Sequence, residues 1–230
     1  MSRTLLVALA HPDDEVGCSG TIAAQVAAGD RVIMLFLTAG EMTESLGPIP
    51  TAEVAKRRTK HAHDAGDILG CAEVRVLDFP DTRVAMNPDS NYRIAREIAD
   101  IKPDAVITWG DAWDRGMRHP DHQATGQIVR NAVTIARITK AVAPTEPHRK
   151  VAAVYTMRDS HSVLPIAAID VARQRKKIHE LAAFYRQFVN WPDPVWLDKR
   201  LDDAGKKHGV EAAELFDSWD GAAGVRTTLL

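Results

Sequence analysis

The sequence predicts an α/β fold of the Rossmann-like, three-layer type, in which helices cover both faces of a mostly parallel sheet. Short runs rich in Leu, Val and Ile alternate with longer amphipathic stretches, and the runs are too continuously apolar for strands with one face in water. Glycine and proline mark the boundaries between the two kinds of segment. The length of 230 residues suits one such domain.

The first part of the chain predicts a βαβ unit followed by a helix and a strand. Apolar runs predict strands at Thr4–Ala10 and Arg31–Leu37. Between them, Thr21–Ala28 predicts a helix, because its apolar residues share one face and Gly29 follows as a helix-ending residue. The next two elements are a charged helix and a strand, at Ala52–Leu69 and Glu73–Asp78.

The second part of the chain repeats this alternation. Pro103 ends the helix predicted at Tyr92–Ile101, and the apolar run Ala105–Trp109 predicts a buried strand. A helix, a strand and a helix follow, at about Gln123–Ile138, Val151–Met157 and Val171–Phe188. Ligands of such sheets bind beyond the carboxyl ends of the strands, so we expect the functional residues at that edge.

Residues 191–230 differ in character from the rest of the chain. Trp191, Trp196 and Trp219 stand among prolines and charged residues, and the strand–helix alternation does not continue. We therefore expect one domain over residues 1–190 and an appendage over 191–230 that packs on the domain or on a neighbouring subunit.

Composition excludes several classes of protein. The 29 basic and 31 acidic residues nearly cancel, which argues against a nucleic-acid partner. The apolar run Leu5–Ala10 is too short for a membrane span or a signal-peptide core, so we expect a strand there and a cytoplasmic protein. The two cysteines allow neither a disulfide framework nor a cysteine zinc site, so any metal must be bound by His and carboxylate groups.

Two related tetrapeptides each come after a predicted strand: His11-Pro12-Asp13-Asp14 and His119-Pro120-Asp121-His122. Each places an imidazole beyond a strand and a second metal-capable side chain three residues later, a spacing that lets both groups bind one ion. The sequence therefore predicts that the two tetrapeptides are the halves of a mononuclear metal site.

The stretch Ala10–Glu15 resembles the first signature of the LmbE-like / PIG-L family of zinc-dependent N-deacetylases, and Arg118–His122 resembles the second. The resemblance continues between them, at Leu37–Glu41, Arg58, Ile68–Gly70, Asp78–Asp81 and Pro103-Asp104. It covers the first part of the chain well and the remainder weakly. It implies an LmbE-like version of the predicted fold, a bound Zn²⁺ and removal of an N-acetyl group.

The ligand set also follows from the residues themselves. A hydrolytic zinc site needs about three protein ligands and one open position for water, and His11, Asp14 and His122 supply such a set. Asp13 lies beside ligand Asp14 and is able to accept the proton of the metal's water as general base, a role that the resemblance also assigns to it.

His119 lies one turn from His122, where it is able to face the opposite side of the substrate carbonyl. We expect a His119 imidazolium there to stabilise the oxyanion or to protonate the leaving amine. Asp121 is expected to keep His119 charged through a hydrogen bond.

Simpler interpretations of the same residues stay open. Asp13 or Asp14 could cap the following helix, and Glu15 is expected to be a first-turn residue favoured by the helix dipole. Trp109 and Trp113 could form a sugar-stacking platform or pack in the core. The remaining histidines are expected on the surface: His61, His63, His148, His161, His179 and His208.

The resemblance also implies substrate contacts by Glu41, Arg58 and Asp81, which match the corresponding family positions. The chain departs from the family pattern at two places. His61 stands where the family has a Glu three residues after the matched Arg, and Phe184-Tyr185-Arg186-Gln187 replaces a common His-x-Ser-Gln pattern. Both departures concern the substrate and leave the metal ligands unchanged.

These observations predict a hydrolase that uses Zn²⁺ to remove an N-acetyl, or other N-acyl, group from an amino sugar or its conjugate. Two alternatives stay open: a zinc amidase that acts on a non-sugar substrate, and a non-catalytic sugar- or nucleotide-binding module. The expected partner is a small N-acetylated sugar or conjugate, and the number of subunits is left open.

Overall fold

A computed structural model describes residues 2–230 as one eight-stranded mixed sheet with helices on both faces. The strands are β1 Thr4–Leu9, β2 Arg31–Phe36, β3 Glu73–Val76, β4 Ala105–Trp109, β5 Ala153–Met157, β6 Ile166–Asp170, β7 Ala213–Ser218 and β8 Gly224–Arg226. The helices are α1 Ser19–Ala27, α2 Thr51–Leu69, α3 Pro88–Ile101, α4 Pro120–Ile135, α5 Thr139–Val142, α6 Arg175–Val189 and α7 Pro194–His208. The predicted fold class is therefore confirmed.

The strand order β3-β2-β1-β4-β5-β7-β6-β8 places the topological switch point between β1 and β4. Strands β1 to β3 extend the sheet in one direction and β4 and β5 extend it in the other, all of them parallel. In such sheets the ligand crevice opens beyond the carboxyl ends of the two central strands. The segments that follow β1 and β4 carry the two tetrapeptides, so the topology brings both to that crevice.

The core consists of two apolar layers, one on each face of the sheet. Strand β1 contributes to both layers: Leu5, Val7 and Leu9 lie in one, and Leu6 and Ala8 lie in the other. This alternation follows from the period of two along a strand, and a strand buried on both faces has to be apolar at every position. The three-layer arrangement thus explains the uninterrupted apolar runs of the sequence.

The second tetrapeptide lies on a helix rather than ahead of one. Helix α4 begins at Pro120, three residues before the predicted start, and His119 is its N-cap residue. Proline is favoured at the first helical position because its missing N–H would have no partner there. His122 therefore projects from the rigid first turn of α4.

The prediction that strand–helix alternation stops before residue 191 is wrong. Helix α7 is capped by Asp193, whose side chain accepts the N–H of Trp196. Strand β7 then runs antiparallel between β5 and β6 in the interior of the sheet, and β8 pairs with β6 at its edge. Residues 191–230 thus contribute one interior strand and one edge strand to the sheet, whereas an appendage would only pack on it. No helix among residues 2–230 is both long and apolar enough to cross a membrane.

Candidate metal centre

The first tetrapeptide is held in an unusual backbone conformation. Asp13 has φ 101°, a left-handed value that costs a non-glycine residue about 1–3 kcal/mol unless its surroundings impose it. The Glu15 carboxylate accepts the Asp13 N–H at 2.8 Å, and buried Arg58 donates to Pro12 O and, at 2.9 Å, to Asp13 Oδ2. Neither helix-capping interpretation is supported, because Asp13 makes no side-chain cap bond and Asp14 lies inside the 3₁₀ helix Asp14–Cys18.

Three candidate ligands converge beyond β1 and β4. Asp14 Oδ1 lies 3.1 Å from His122 Nε2, and Asp14 Oδ2 lies 3.8 Å from His11 Nδ1. A tetrahedral ion with bonds of 2.0–2.2 Å separates its ligand atoms by about 3.3–3.6 Å, and each of the two Asp14 oxygens lies close to that distance from one of the two imidazoles. Ring nitrogens of His11, His119 and His122 also lie within 4.8 Å of one another, so His119 belongs to the same cluster of possible ligands.

The second ring nitrogen of His11 contacts two carboxylates. Nε2 lies 3.1 Å from both Asp81 Oδ1 and Asp121 Oδ2. Burial lowers the pKa of His11, but hydrogen bonds to Asp121, Asp14 and Asp81 outweigh burial and raise that pKa to about 12. The raised pKa keeps both ring nitrogens of His11 protonated, so a cation would displace the proton of Nδ1 while the carboxylates hold the proton of Nε2, the arrangement common for metal-ligating histidines.

Asp13 and Asp14 have opposite electrostatic environments. Burial raises the pKa of Asp13 to about 6, although Arg58 opposes that rise. Burial also acts on Asp14, but His122 and His11 outweigh it and hold the pKa of Asp14 well below its usual range. Asp14 is therefore ionised near neutral pH, as a carboxylate ligand has to be, and Asp13 is the carboxylate suited to exchanging protons there.

Asp121 does not contact His119 in the way that the sequence predicts. Its fully buried carboxylate accepts the N–H groups of Thr82 and Val84 and faces His11 Nε2. His119 Nδ1 instead accepts the backbone N–H of Asp121 at 3.2 Å. Burial, followed by His11 and His122, lowers the pKa of His119 against the opposing effect of Asp121, and the predicted hydrogen bond between His119 and the Asp121 carboxylate is absent. An imidazole that accepts at Nδ1 carries its proton on Nε2 and donates from there.

Of the three residues matched as substrate contacts, two line the cavity and the third contacts one of them. Arg58 and Asp81 line the cavity in front of the candidate ligands, but their contacts are to Asp13 and His11 respectively. Glu41 lies behind them, and its Oε1 accepts the Asp81 N–H at 2.8 Å. In this structure the three side chains thus support Asp13 and His11 of the candidate metal centre.

The cavity has a volume of about 920 Å³ and a tryptophan-rich wall. Trp109 is buried and stacks on His122 at 4.0 Å between ring centroids, with the planes 9° apart, so it orients the imidazole of this candidate ligand from the core. Trp113 donates to Met157 O at 3.1 Å. Trp191, Trp196 and Arg200, from residues 191–230, also line this cavity, which no sequence pattern indicated.

Glu15 lies in the first turn of the 3₁₀ helix, as expected, but it is buried, and two histidines expected at the surface are buried as well. Glu15 is fully buried, accepts from Tyr185 Oη at 2.5 Å, and has its pKa raised by burial to about 8 despite that hydrogen bond. His148 is buried with Nε2 2.7 Å from Pro103 O. His61 is buried against Phe188, at 3.9 Å between ring centroids.

The two departures from the family pattern contact each other. The rings of His61 and Phe184 meet edge to face, with centroids 5.9 Å apart. The apolar surroundings that Phe184 and Phe188 provide favour a neutral imidazole, and burial lowers the pKa of His61 to about 4. Both departures therefore belong to one packing unit between α2 and α6.

Comparisons with known proteins identify a family and several similar proteins. Residues 6–133 match the family described as PIG-L, GlcNAc-PI de-N-acetylase. Diacetylchitobiose deacetylase of Thermococcus kodakarensis is 29% identical over 194 residues, which cover 81% of this chain and 69% of that protein. Among solved structures, the conserved protein TT1542 from Thermus thermophilus is 30% identical with a TM-score of 0.78, over 93% of both chains. N,N'-diacetylchitobiose deacetylase from Pyrococcus horikoshii has 23% identity and a TM-score of 0.82, over 95% of this chain and 84% of that one.

Proposed function

The chain belongs to the PIG-L family, and we propose that it is a zinc-dependent hydrolase that removes the N-acetyl group of an amino sugar or an amino-sugar conjugate. The relatives named deacetylases support N-deacetylation of amino sugars as the reaction class. The observation that carries the proposal is the convergence of His11, Asp14 and His122 at the switch point of the sheet, next to a carboxylate with a raised pKa.

Two imidazoles and one carboxylate form a donor set that suits zinc, with a further position left open for water or substrate. When bound there, zinc supplies Lewis acidity towards the amide carbonyl and lowers the pKa of water. The carboxylates on the far side of His11 hold the imidazole in the tautomer that leaves Nδ1 available.

Asp13 is the proposed general base. Its carboxylate accepts a proton from the attacking water, and the same proton passes to the amine when the C–N bond breaks, so that acetate and a free amine result. Arg58 fixes Asp13 through Oδ2, which leaves Oδ1 for the proton. A pKa raised towards neutrality suits a group that both takes and returns a proton.

His119 is the proposed hydrogen-bond donor to the developing oxyanion. Because its Nδ1 accepts a backbone N–H, a neutral His119 presents Nε2–H towards the cavity. A donor aimed at the tetrahedral oxygen stabilises the transition state more than the ground state. In this scheme Asp121 acts through His11, as a positioning residue. The cytoplasmic location stays a prediction.

The test is direct. The purified, zinc-loaded protein is incubated with N-acetylglucosamine, N,N'-diacetylchitobiose, N-acetylglucosaminyl conjugates and non-sugar N-acetyl amides, and release of free amine is measured. We expect release from at least one amino sugar, and release slowed by about 10²–10⁴-fold with Asp13→Asn. Release from non-sugar amides alone would contradict the sugar assignment, and tight sugar binding without release would indicate a binding module.

A further inference from the structure

A second feature of the cavity lies on the wall formed by residues 191–230. Trp191 and Trp196 are 38% and 43% exposed, and both line the cavity that contains the candidate metal centre. Their ring centroids are 5.0 Å apart and the planes are tilted by 47°. Two large aromatic rings kept partly in water, side by side on a cavity wall, are typical of a surface that a ligand covers.

Arg200 connects this wall to the metal centre. Its guanidinium carbon lies 5.5 Å from the Trp196 ring centroid, and its Nη2 donates to Gly17 O at 2.6 Å. Gly17 belongs to the 3₁₀ helix that begins at candidate ligand Asp14, and it also lines the cavity. The bond to Gly17 uses one of the five guanidinium N–H donors, so others are available to a ligand. The aromatic pair and Arg200 are therefore one surface next to the metal centre.

The size of the cavity sets the extent of the ligand. Pockets for small molecules have volumes of about 300–1,000 Å³, and a cavity of about 920 Å³ lies near the upper end of that range. A single N-acetylated sugar ring whose amide reaches the metal centre leaves much of this volume unfilled. The additional space extends to Trp191 and Trp196.

The chemistry of the wall matches a carbohydrate ring. A pyranose presents C–H groups on its faces and hydroxyl groups around its edge, so a partly exposed indole covers a face while charged donors bind the edge. Trp191 and Trp196 provide the first kind of contact, and Arg200 provides the second. An anionic ligand alone would not require the two indoles.

We infer that Trp191, Trp196 and Arg200 form a subsite for the second sugar ring of a disaccharide or longer N-acetylated glycan whose acetamido group reaches the metal centre. The inference rests on the proposed function, since it assigns a substrate class to the same cavity. The subsite gives the enzyme a preference for a linked pair of rings over a single N-acetylated monosaccharide.

The test compares N,N'-diacetylchitobiose with N-acetylglucosamine in the parent protein and in Trp191→Ala and Trp196→Ala. We expect each variant to lower kcat/KM for the disaccharide by about 10-fold and to change that for the monosaccharide by less than about 2-fold. Trp219→Ala is the matched control, because Trp219 is also 38% exposed but is not among the residues of 2–230 that line this cavity. Trp196→Phe should restore most of the preference, which separates loss of an aromatic face from a folding defect.

A binding measurement separates this inference from the proposed function. Calorimetric titration in an Asp13→Asn background measures disaccharide affinity without turnover, and Trp196→Ala should weaken it by about 10-fold. If the parent deacetylates no sugar but this loss of affinity occurs, the subsite stands and the proposed function fails. The inference would be overturned if the variants lost equal affinity and kcat/KM for both sugars, or lost none for either. It would also be overturned if the variants changed the oligomeric mass and left the preference for the disaccharide unchanged.

Discussion

Replacing Asp121 with Asn should weaken metal binding, because the Asp121 carboxylate faces His11 Nε2 at 3.1 Å. A hydrogen bond to a charged group contributes about 1.5–3 kcal/mol, which corresponds to roughly 10- to 150-fold in a binding constant. Asp81 lies equally close to the same nitrogen and keeps part of the interaction. We therefore expect zinc affinity to fall by about 10-fold, at the lower end of the range known for such supporting carboxylates.

The assay is competition for zinc between the protein and a fluorescent chelator, with urea unfolding measured in parallel. The unfolding measurement detects any loss of stability, because Asp121→Asn also removes one acceptor for the N–H groups of Thr82 and Val84. Asp159→Asn is the control, since Asp159 lines the same cavity but pairs with Arg118. Unchanged zinc affinity together with a lower kcat would refute the reasoning and favour the sequence-based interpretation, in which Asp121 acts on His119.

Three further predictions concern catalysis and stability. Asp13→Asn should keep zinc bound while turnover falls by about 10²–10⁴-fold, which parallel metal analysis and amine-release assays check. His119→Ala should lower kcat by about 10²–10³-fold with little change in KM, and the basic side of the pH profile should persist because the pKa of His119 already lies below its usual value. The pKa of His61 is lowered from 6.5 to about 4, so between pH 6.5 and pH 4 the unfolded chain binds more protons than the folded chain. The free energy of unfolding therefore decreases as the pH falls through this range, by about 2 kcal/mol at pH 5. His61→Leu should remove that loss and His63→Leu should not, as urea unfolding at pH 7.5 and pH 5 would reveal; equal behaviour of the two variants would contradict the burial of His61.

Strands β1, β2, β4 and β5 could be predicted because both of their faces are buried. A parallel strand buried on both faces has to be apolar throughout, and the runs that form β1, β2, β4 and β5 have that character. The two tetrapeptides could be placed at one edge for the same reason, since the carboxyl ends of parallel strands meet there. The candidate ligands follow from this placement and from the chemistry of their side chains.

Strand β7 could not be predicted because its partners are distant in sequence. It contains Glu214, which is buried and accepts the N–H groups of Gly20 and Thr21 at the start of α1. Nothing in the sequence near Glu214 reveals those partners, so its carboxylate is indistinguishable there from a solvent-exposed one. The contact of Asp121 with His11 is hidden in the same way, because spacing alone suggests the nearer His119.

The most direct test of the central claim is zinc-dependent amine release. The protein is stripped with a chelator, restored with zinc, and assayed on a panel of N-acetylated amino sugars and conjugates, beside His122→Ala treated identically. We predict that the stripped parent is inactive, that zinc restores it, and that zinc at the same concentration does not restore His122→Ala. Full activity of the stripped protein, or equal restoration of His122→Ala, would contradict a metal centre formed by His11, Asp14 and His122.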